Sequence, residues 1–169
     1  MKSSIIFFLL SCISAFAQAS APDLFSVKIG EVFPEKTQFE NSDPKPRPTI
    51  QFKVPNTSKS SALFSEYEVV IVRSLGKISI VTGSRAFETM EACQAGKGQA
   101  HRLVSEEYPK HIYAPQEFKY ELQSSNIYIR LACSYRSEGP YPILELQFRG
   151  KKEDQTLKQD WEKYFQSQR

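Results

Sequence analysis

Histidine, cysteine and tryptophan are scarce in this chain of 169 residues, which contains two, three and one of them respectively. So few candidate ligands leave little material for a metal centre, and the sequence has neither a CxxC pair nor an HExxH motif. A GxSxG turn and an acidic loop with calcium spacing are also missing. These absences remove common motif-based signs of catalysis, and we predict no metal, no cofactor and no identifiable catalytic residue.

An excess of one charge and a long internal apolar run are lacking as well. The formal net charge is +3, from 22 basic and 19 acidic residues, so no strong positive field favours nucleic acid and none is predicted as a partner. Beyond the first twenty residues, no apolar stretch approaches the length of a membrane-spanning helix. We therefore predict no transmembrane anchor, and we detect no internal repeat.

The first nineteen residues have the pattern of a signal peptide. Lys2 provides a short positive region, an apolar segment follows, and Ala17-Gln18-Ala19 matches the small-x-small pattern of a cleavage site. A lipidated Cys12 is the alternative, but the apolar segment before it is short and hydrophobic sequence continues after it. We predict cleavage near Ala19, an extracytoplasmic (periplasmic or secreted) location, and a single domain over residues 20–169.

Alternation of apolar and polar residues predicts that most of the chain is β-structure. The clearest hairpin joins residues 67–73 to residues 77–82, with Gly76 at the turn. Similar alternation predicts strands near 50–54, 118–122, 127–135 and 144–148. Short connections favour antiparallel pairing, so the predicted class is α+β with a mainly antiparallel sheet of about six to seven strands.

Two segments have helical periodicity instead. Apolar residues spaced for one helix face predict a helix near 84–96, with Ser84 as its N-cap and with Gly96 and Gly98 at its end. A second amphipathic helix is predicted near 154–167 and is expected to dock on the sheet. The sequence leaves the structure of residues 99–115 open.

The stretch ETMEACQAGKGQAH, residues 88–101, allows three interpretations. A phosphate-binding loop would need its glycines to open a helix, whereas here they follow the predicted one. A nucleophilic pair of Cys93 and His101 would need an exposed thiolate, but Cys93 is on the apolar face of the predicted helix. The third interpretation, a disulfide between Cys93 and Cys133, needs only that both sulfurs face one core, and we predict it.

A candidate recognition surface lies around the strand that contains Cys133. Arg136 and Tyr141 belong to a loop between two predicted strands, and Tyr128 and Arg130 form a second aromatic–arginine pair on the preceding strand. Tyrosine and arginine are enriched in the energetic centres of protein interfaces. We name these four residues as a candidate binding site.

Three functional hypotheses follow. The first is a small secreted or periplasmic non-catalytic binding protein, possibly inhibitor-like, whose partner is another protein or an envelope component. The second is an extracytoplasmic hydrolase with a dispersed site that uses His101 or His111 with a carboxylate such as Glu106. The third is an envelope structural subunit that assembles through the proline-rich segment 44–48 or a strand edge. The sequence favours the first and a non-enzyme, and it leaves the oligomeric state unknown.

Overall fold

The computed structural model describes residues 28–33, 47–53, 62–109, 111–114, 119–122, 126–137 and 139–168. The predicted signal peptide (1–19), with Cys12 in it, lies outside these residues, and so does most of the proline-rich segment (44–46).

A seven-stranded antiparallel sheet forms the centre of the described structure. Five strands have five or more residues, and β4 and β5, which lie together at one edge, have four each. The predicted α+β class with an antiparallel sheet is confirmed. The spatial order is β1-β2-β3-β7-β6-β5-β4. The strands are β1 (Thr49–Lys53), β2 (Glu66–Val72), β3 (Lys77–Ala86), β4 (His111–Ala114), β5 (Lys119–Leu122), β6 (Ile127–Tyr135) and β7 (Pro142–Gly150).

The first helix, α1 (Met90–Glu107), differs at both ends from the helix predicted near 84–96. Ser84 does not cap a helix: it belongs to β3, where it pairs with Glu145 of β7, so sheet pairing overrides its capping tendency. Thr89 is the N-cap instead, and its side chain accepts a hydrogen bond from the backbone N–H of Ala92 at 3.2 Å. The C-terminal half of α1 and strand β4 fill most of the segment 99–115.

The prediction that Gly96 and Gly98 end this helix is wrong, because both lie inside it. Gly96 has a packing role: a Cβ there would lie 2.7 Å from Cζ of Phe87, so only a glycine lets α1 approach at this point. Buried Cys93 and Ala100 are also small and lie on the same face. A run of small residues therefore brings α1 close to the sheet.

Side chains of the central strands alternate between two faces of the sheet. The first, which we call the α1 face, carries Ile129 and Leu131 of β6 and Leu144 and Leu146 of β7, all at most 1% exposed. These residues form one hydrophobic cluster with the inner side of α1. The second, which we call the α2 face, carries the alternate residues of the same strands, and these are mostly polar.

The second helix, α2 (Lys151–Ser167), follows β7 without a loop and starts three residues before the predicted position. Its first half packs on the sheet, since the buried residues of the helix are Glu153, Asp154 and Leu157, and it contacts β7, β3 and β2. Its second half carries an aromatic cluster in which the Trp161 and Phe165 rings stack at 5.3 Å, and Phe165 is 58% exposed. Within the described ranges, neither helix combines the length and the apolarity needed to cross a bilayer.

Candidate functional site

The α2 face of the sheet carries a continuous polar row across four neighbouring strands. Backbone register places Glu68 of β2 beside Thr82 of β3, Thr82 beside Gln147 of β7, and Gln147 beside Arg130 of β6. In β2, β6 and β7 these residues alternate with buried apolar residues of the α1 face, whereas β3 is buried on both faces and Thr82 is itself buried. The same alternation that builds the hydrophobic core therefore produces a polar surface on the opposite side.

One end of this face is covered by the start of α2. The Tyr128 hydroxyl donates a hydrogen bond to Oδ2 of Asp154 at 3.1 Å, and a terminal nitrogen of Arg149 donates to Oδ1 at 2.5 Å. Asp154 is only 4% exposed, and its charge also lies in the first turn of α2, where the helix dipole favours an anion. Burial, with a smaller contribution from Asp154, raises the pKa of Tyr128 to about 12. These three side chains anchor α2 on the sheet.

Further along the same strands, α2 no longer covers the face and a small groove is open there. Its volume is about 100 Å³, and its lining comprises Arg130, Ala132, Ser134, Glu145 and Gln147. We call this feature the groove. All five residues belong to the adjacent strands β6 and β7, so the backbone beneath them is held by an antiparallel ladder.

The carboxylate in the groove already has a cation partner. Glu145 accepts hydrogen bonds from Nε of Arg136, at 3.1 Å, and from a terminal nitrogen of the same guanidinium. This pairing raises the pKa of Arg136. Glu68 lies near both residues, and burial raises the pKa of its carboxyl group although Arg136 opposes the change. The Arg136–Glu145 pair thus forms a neutral wall at one side of the groove.

Other polar groups in the groove are not matched in this way. Among the described residues, Arg130 is exposed and forms no hydrogen bond or ion pair, and the Ser134 hydroxyl is likewise uncommitted. Oε1 of Gln147 is buried and has no hydrogen-bond partner, whereas its Nε2 donates to Glu145 at 3.5 Å. The groove therefore combines an unpaired cation, a hydroxyl and an unsatisfied acceptor.

The structure separates the four predicted binding residues into different environments. Arg130 lines the groove, and Arg136 contacts it through Glu145. Tyr128 is half-buried beneath α2 and has a structural contact with Asp154. Tyr141 lies at the end of the β6–β7 hairpin and is 55% exposed. The two arginines are thus brought to one place, and the two tyrosines are not.

The two cysteines predicted to pair are adjacent. Their Sγ atoms lie 2.12 Å apart and their Cα atoms 6.1 Å apart, which fits a disulfide between α1 and β6. Cys93 is fully buried on the inner side of α1. The location of Gly96, Lys97 and Gly98 within the helix also removes the loop that a phosphate site would need.

The two histidines lie where α1 meets β4. The His101 ring packs against Tyr113 with 5.2 Å between ring centroids, and Nδ1 of His111 donates a hydrogen bond to the carbonyl oxygen of Tyr108. Glu106 is exposed near the end of α1. In the described part of the chain, no group of three or more His, Cys, Asp or Glu side chains is arranged to hold a metal ion.

Three polar lining residues of the groove, Ser134, Glu145 and Gln147, were not among the predicted site residues. Their signal was present, since β7 reads PILELQFRG and its buried Leu144 and Leu146 imply that the residues between them face the other way. The apolar positions of these strands predict the core, and the polar residues between them mark a surface on the opposite face of the sheet.

The chain matches no protein-family model, no curated protein and no solved structure.

Proposed function

We propose that this protein is a small extracytoplasmic binding domain, without catalysis of its own, that docks another protein or an envelope component on the open part of its α2 face. The proposal on location is supported by the signal-peptide pattern of residues 1–19 and by the proximity of Cys93 and Cys133, because disulfides persist in oxidising compartments.

One observation carries the proposal on binding: α2 covers only one end of its sheet face and leaves the groove exposed. Arg130 lies there without a partner among the described residues, on a strand paired on both sides. An arginine on a rigid strand suits recognition, because little conformational entropy is lost when it binds a partner. Exposed Tyr141, at the nearby hairpin end, enlarges the surface with a side chain common in interface centres.

Site-specific photocrosslinking tests this proposal. A crosslinking amino acid at Ser134 in residues 20–169 is exposed to the native envelope fraction or medium, and the matched control carries it at Gln99 on the exposed side of α1. We expect a discrete crosslinked product from position 134 and none from position 99. The same products from both positions, or none from position 134, would contradict docking on the α2 face.

A further inference from the structure

Two groups in the groove have hydrogen-bonding capacity that the protein does not use. The guanidinium of Arg130 presents five N–H donors and forms no hydrogen bond or ion pair among the described residues. Oε1 of Gln147, its neighbour on β7, is buried without a donor. Oε1 has almost no accessible surface, but the Gln147 side chain as a whole is only half-buried and lines the groove, so a turn of its amide group presents this unsatisfied acceptor to a ligand that supplies a donor.

The cation in the groove favours a carboxylate. A planar guanidinium matches a carboxylate with two parallel hydrogen bonds, and the Ser134 hydroxyl can donate a third. A phosphate monoester dianion fits less well, because it carries no hydrogen-bond donor for Oε1 of Gln147. A cationic ligand would meet Arg130, while the carboxylate of Glu145 is already held by Arg136.

We propose that the groove recognises a carboxylate with a neighbouring N–H group, as an acidic peptide segment presents it. Arg130 and Ser134 bind the carboxylate oxygens, and Oε1 of Gln147 accepts the hydrogen bond from the peptide N–H. This inference rests on the proposed function and names the ligand chemistry of the same surface. Two sources share that chemistry: an Asp or Glu side chain within a peptide, and the carboxylate at a peptide C-terminus.

The size of the groove agrees with such a small recognition element. The groove has a volume of about 100 Å³, which holds several water molecules. A carboxylate with its adjoining carbon and amide nitrogen is small enough to replace them. The rest of a peptide would extend along the α2 face toward half-buried Glu68 of β2, which follows Gln147 and the buried Thr82 in register.

The test uses a pair of small ligands that differ only in the N–H group. N-acetylglycine has a carboxylate next to an amide N–H, and N-acetylsarcosine has a methyl group in place of that hydrogen. We titrate both into residues 20–169 and follow the amide resonances of Arg130, Ser134 and Gln147 by NMR. We expect dissociation constants on the order of millimolar, with N-acetylglycine binding about fivefold more tightly.

Variants assign each interaction to its residue. Gln147→Leu should abolish the fivefold preference and leave N-acetylsarcosine binding unchanged. Arg130→Gln should weaken both ligands about tenfold or more, whereas Arg102→Gln, which removes the same charge from the exposed side of α1, should weaken neither. Amide spectra that resemble the wild-type spectrum confirm that each variant is folded. If Arg130→Gln does not fold, Arg130→Lys is used in its place. Equal binding of the two ligands by the wild-type protein, or equal effects of the two arginine variants, would overturn the proposal.

Two peptide probes then distinguish the sources. N-acetyl-Asp-N-methylamide presents only a side-chain carboxylate, and N-acetyl-Gly-Gly presents only a C-terminal one. Binding of either probe with the same dependence on Arg130 and Gln147 supports the proposal, and the tighter probe identifies the source. Binding of neither overturns it.

Failure of this inference is distinguishable from failure of the proposed function. A crosslinked partner at Ser134 together with no response to any carboxylate ligand would mean that the surface docks a partner of different chemistry. Carboxylate binding with no crosslinked partner would support the ligand chemistry and contradict docking of a macromolecule.

Discussion

At the residue scale, Glu68 shows how the fold sets the charge state of its polar face. Its carboxyl group is partly buried between Lys53 on one strand and the Arg136–Glu145 pair on the other side. Burial raises its pKa, and the nearby cations only partly offset that cost. The charged form of Glu68 is therefore less favourable in the folded protein than in the unfolded chain.

Glu68→Gln should consequently stabilise the protein at neutral pH. A carboxyl group with a raised pKa keeps its proton longer in the folded state, so the free energy of unfolding falls as pH rises from the ordinary value of 4.5 through the folded pKa. We expect the variant to have a higher thermal midpoint than the wild-type protein at pH 7. The difference between the two midpoints should shrink as the pH falls toward 4. Glu66→Gln, in the same strand, is the matched control for removing a negative charge. A difference that grows as pH falls would contradict this assignment.

At the element scale, sequence periodicity predicts the strands better than it predicts α1. Alternation located β6 and β7 because each strand has one buried face, whereas the start of α1 depended on partners distant in sequence. Ser84 has the composition of a helix cap, but pairing with Glu145 extends β3 past it. Gly96 has the composition of a helix end, but the approach of Phe87 explains it. Local preference is overridden wherever a tertiary contact is stronger.

Replacing each of the two glycines of α1 with alanine should change the stability of the protein in opposite directions. Gly98 has open space around it, so Gly98→Ala should raise the free energy of unfolding by about 0.5–1 kcal/mol through helix propensity. At Gly96 the added Cβ meets Phe87 at 2.7 Å, so Gly96→Ala should lower it by about 1–2 kcal/mol. Chemical denaturation of the two variants measures both changes. Equal stabilisation by both would mean that α1 does not approach the sheet closely at Gly96.

At the scale of the whole molecule, the Cys93–Cys133 pair joins helix α1 to the central sheet. The enclosed segment separates the cysteines by 40 residues and includes most of α1 and the edge strands β4 and β5. Sequence alone predicted this pairing because Cys93 and Cys133 are the two cysteines that follow the predicted signal peptide. The groove could not be predicted in the same way, since it depends on the register of β6 against β7 and on where α2 stops covering the sheet.

Replacing both cysteines with alanine should lower the free energy of unfolding by about 3–4 kcal/mol, because the unfolded chain regains the entropy of a 40-residue loop. Reducing agent should lower the denaturation midpoint of the wild-type protein and leave that of the double variant unchanged. Non-reducing mass spectrometry of the wild-type protein provides the control. Two free thiols, or a wild-type midpoint insensitive to reductant, would contradict the predicted bond.

The position of Trp161 gives the molecule a built-in optical reporter. It is the only tryptophan of the chain, and it stacks with Phe165 in the half of α2 that follows the buried Leu157. Intrinsic tryptophan fluorescence therefore reports the environment of α2 alone, whereas far-ultraviolet circular dichroism sums the signals of α1, α2 and the sheet. Coincident transitions by the two signals mean that α2 unfolds with the sheet, and an earlier fluorescence change isolates its detachment as a separate cooperative unit.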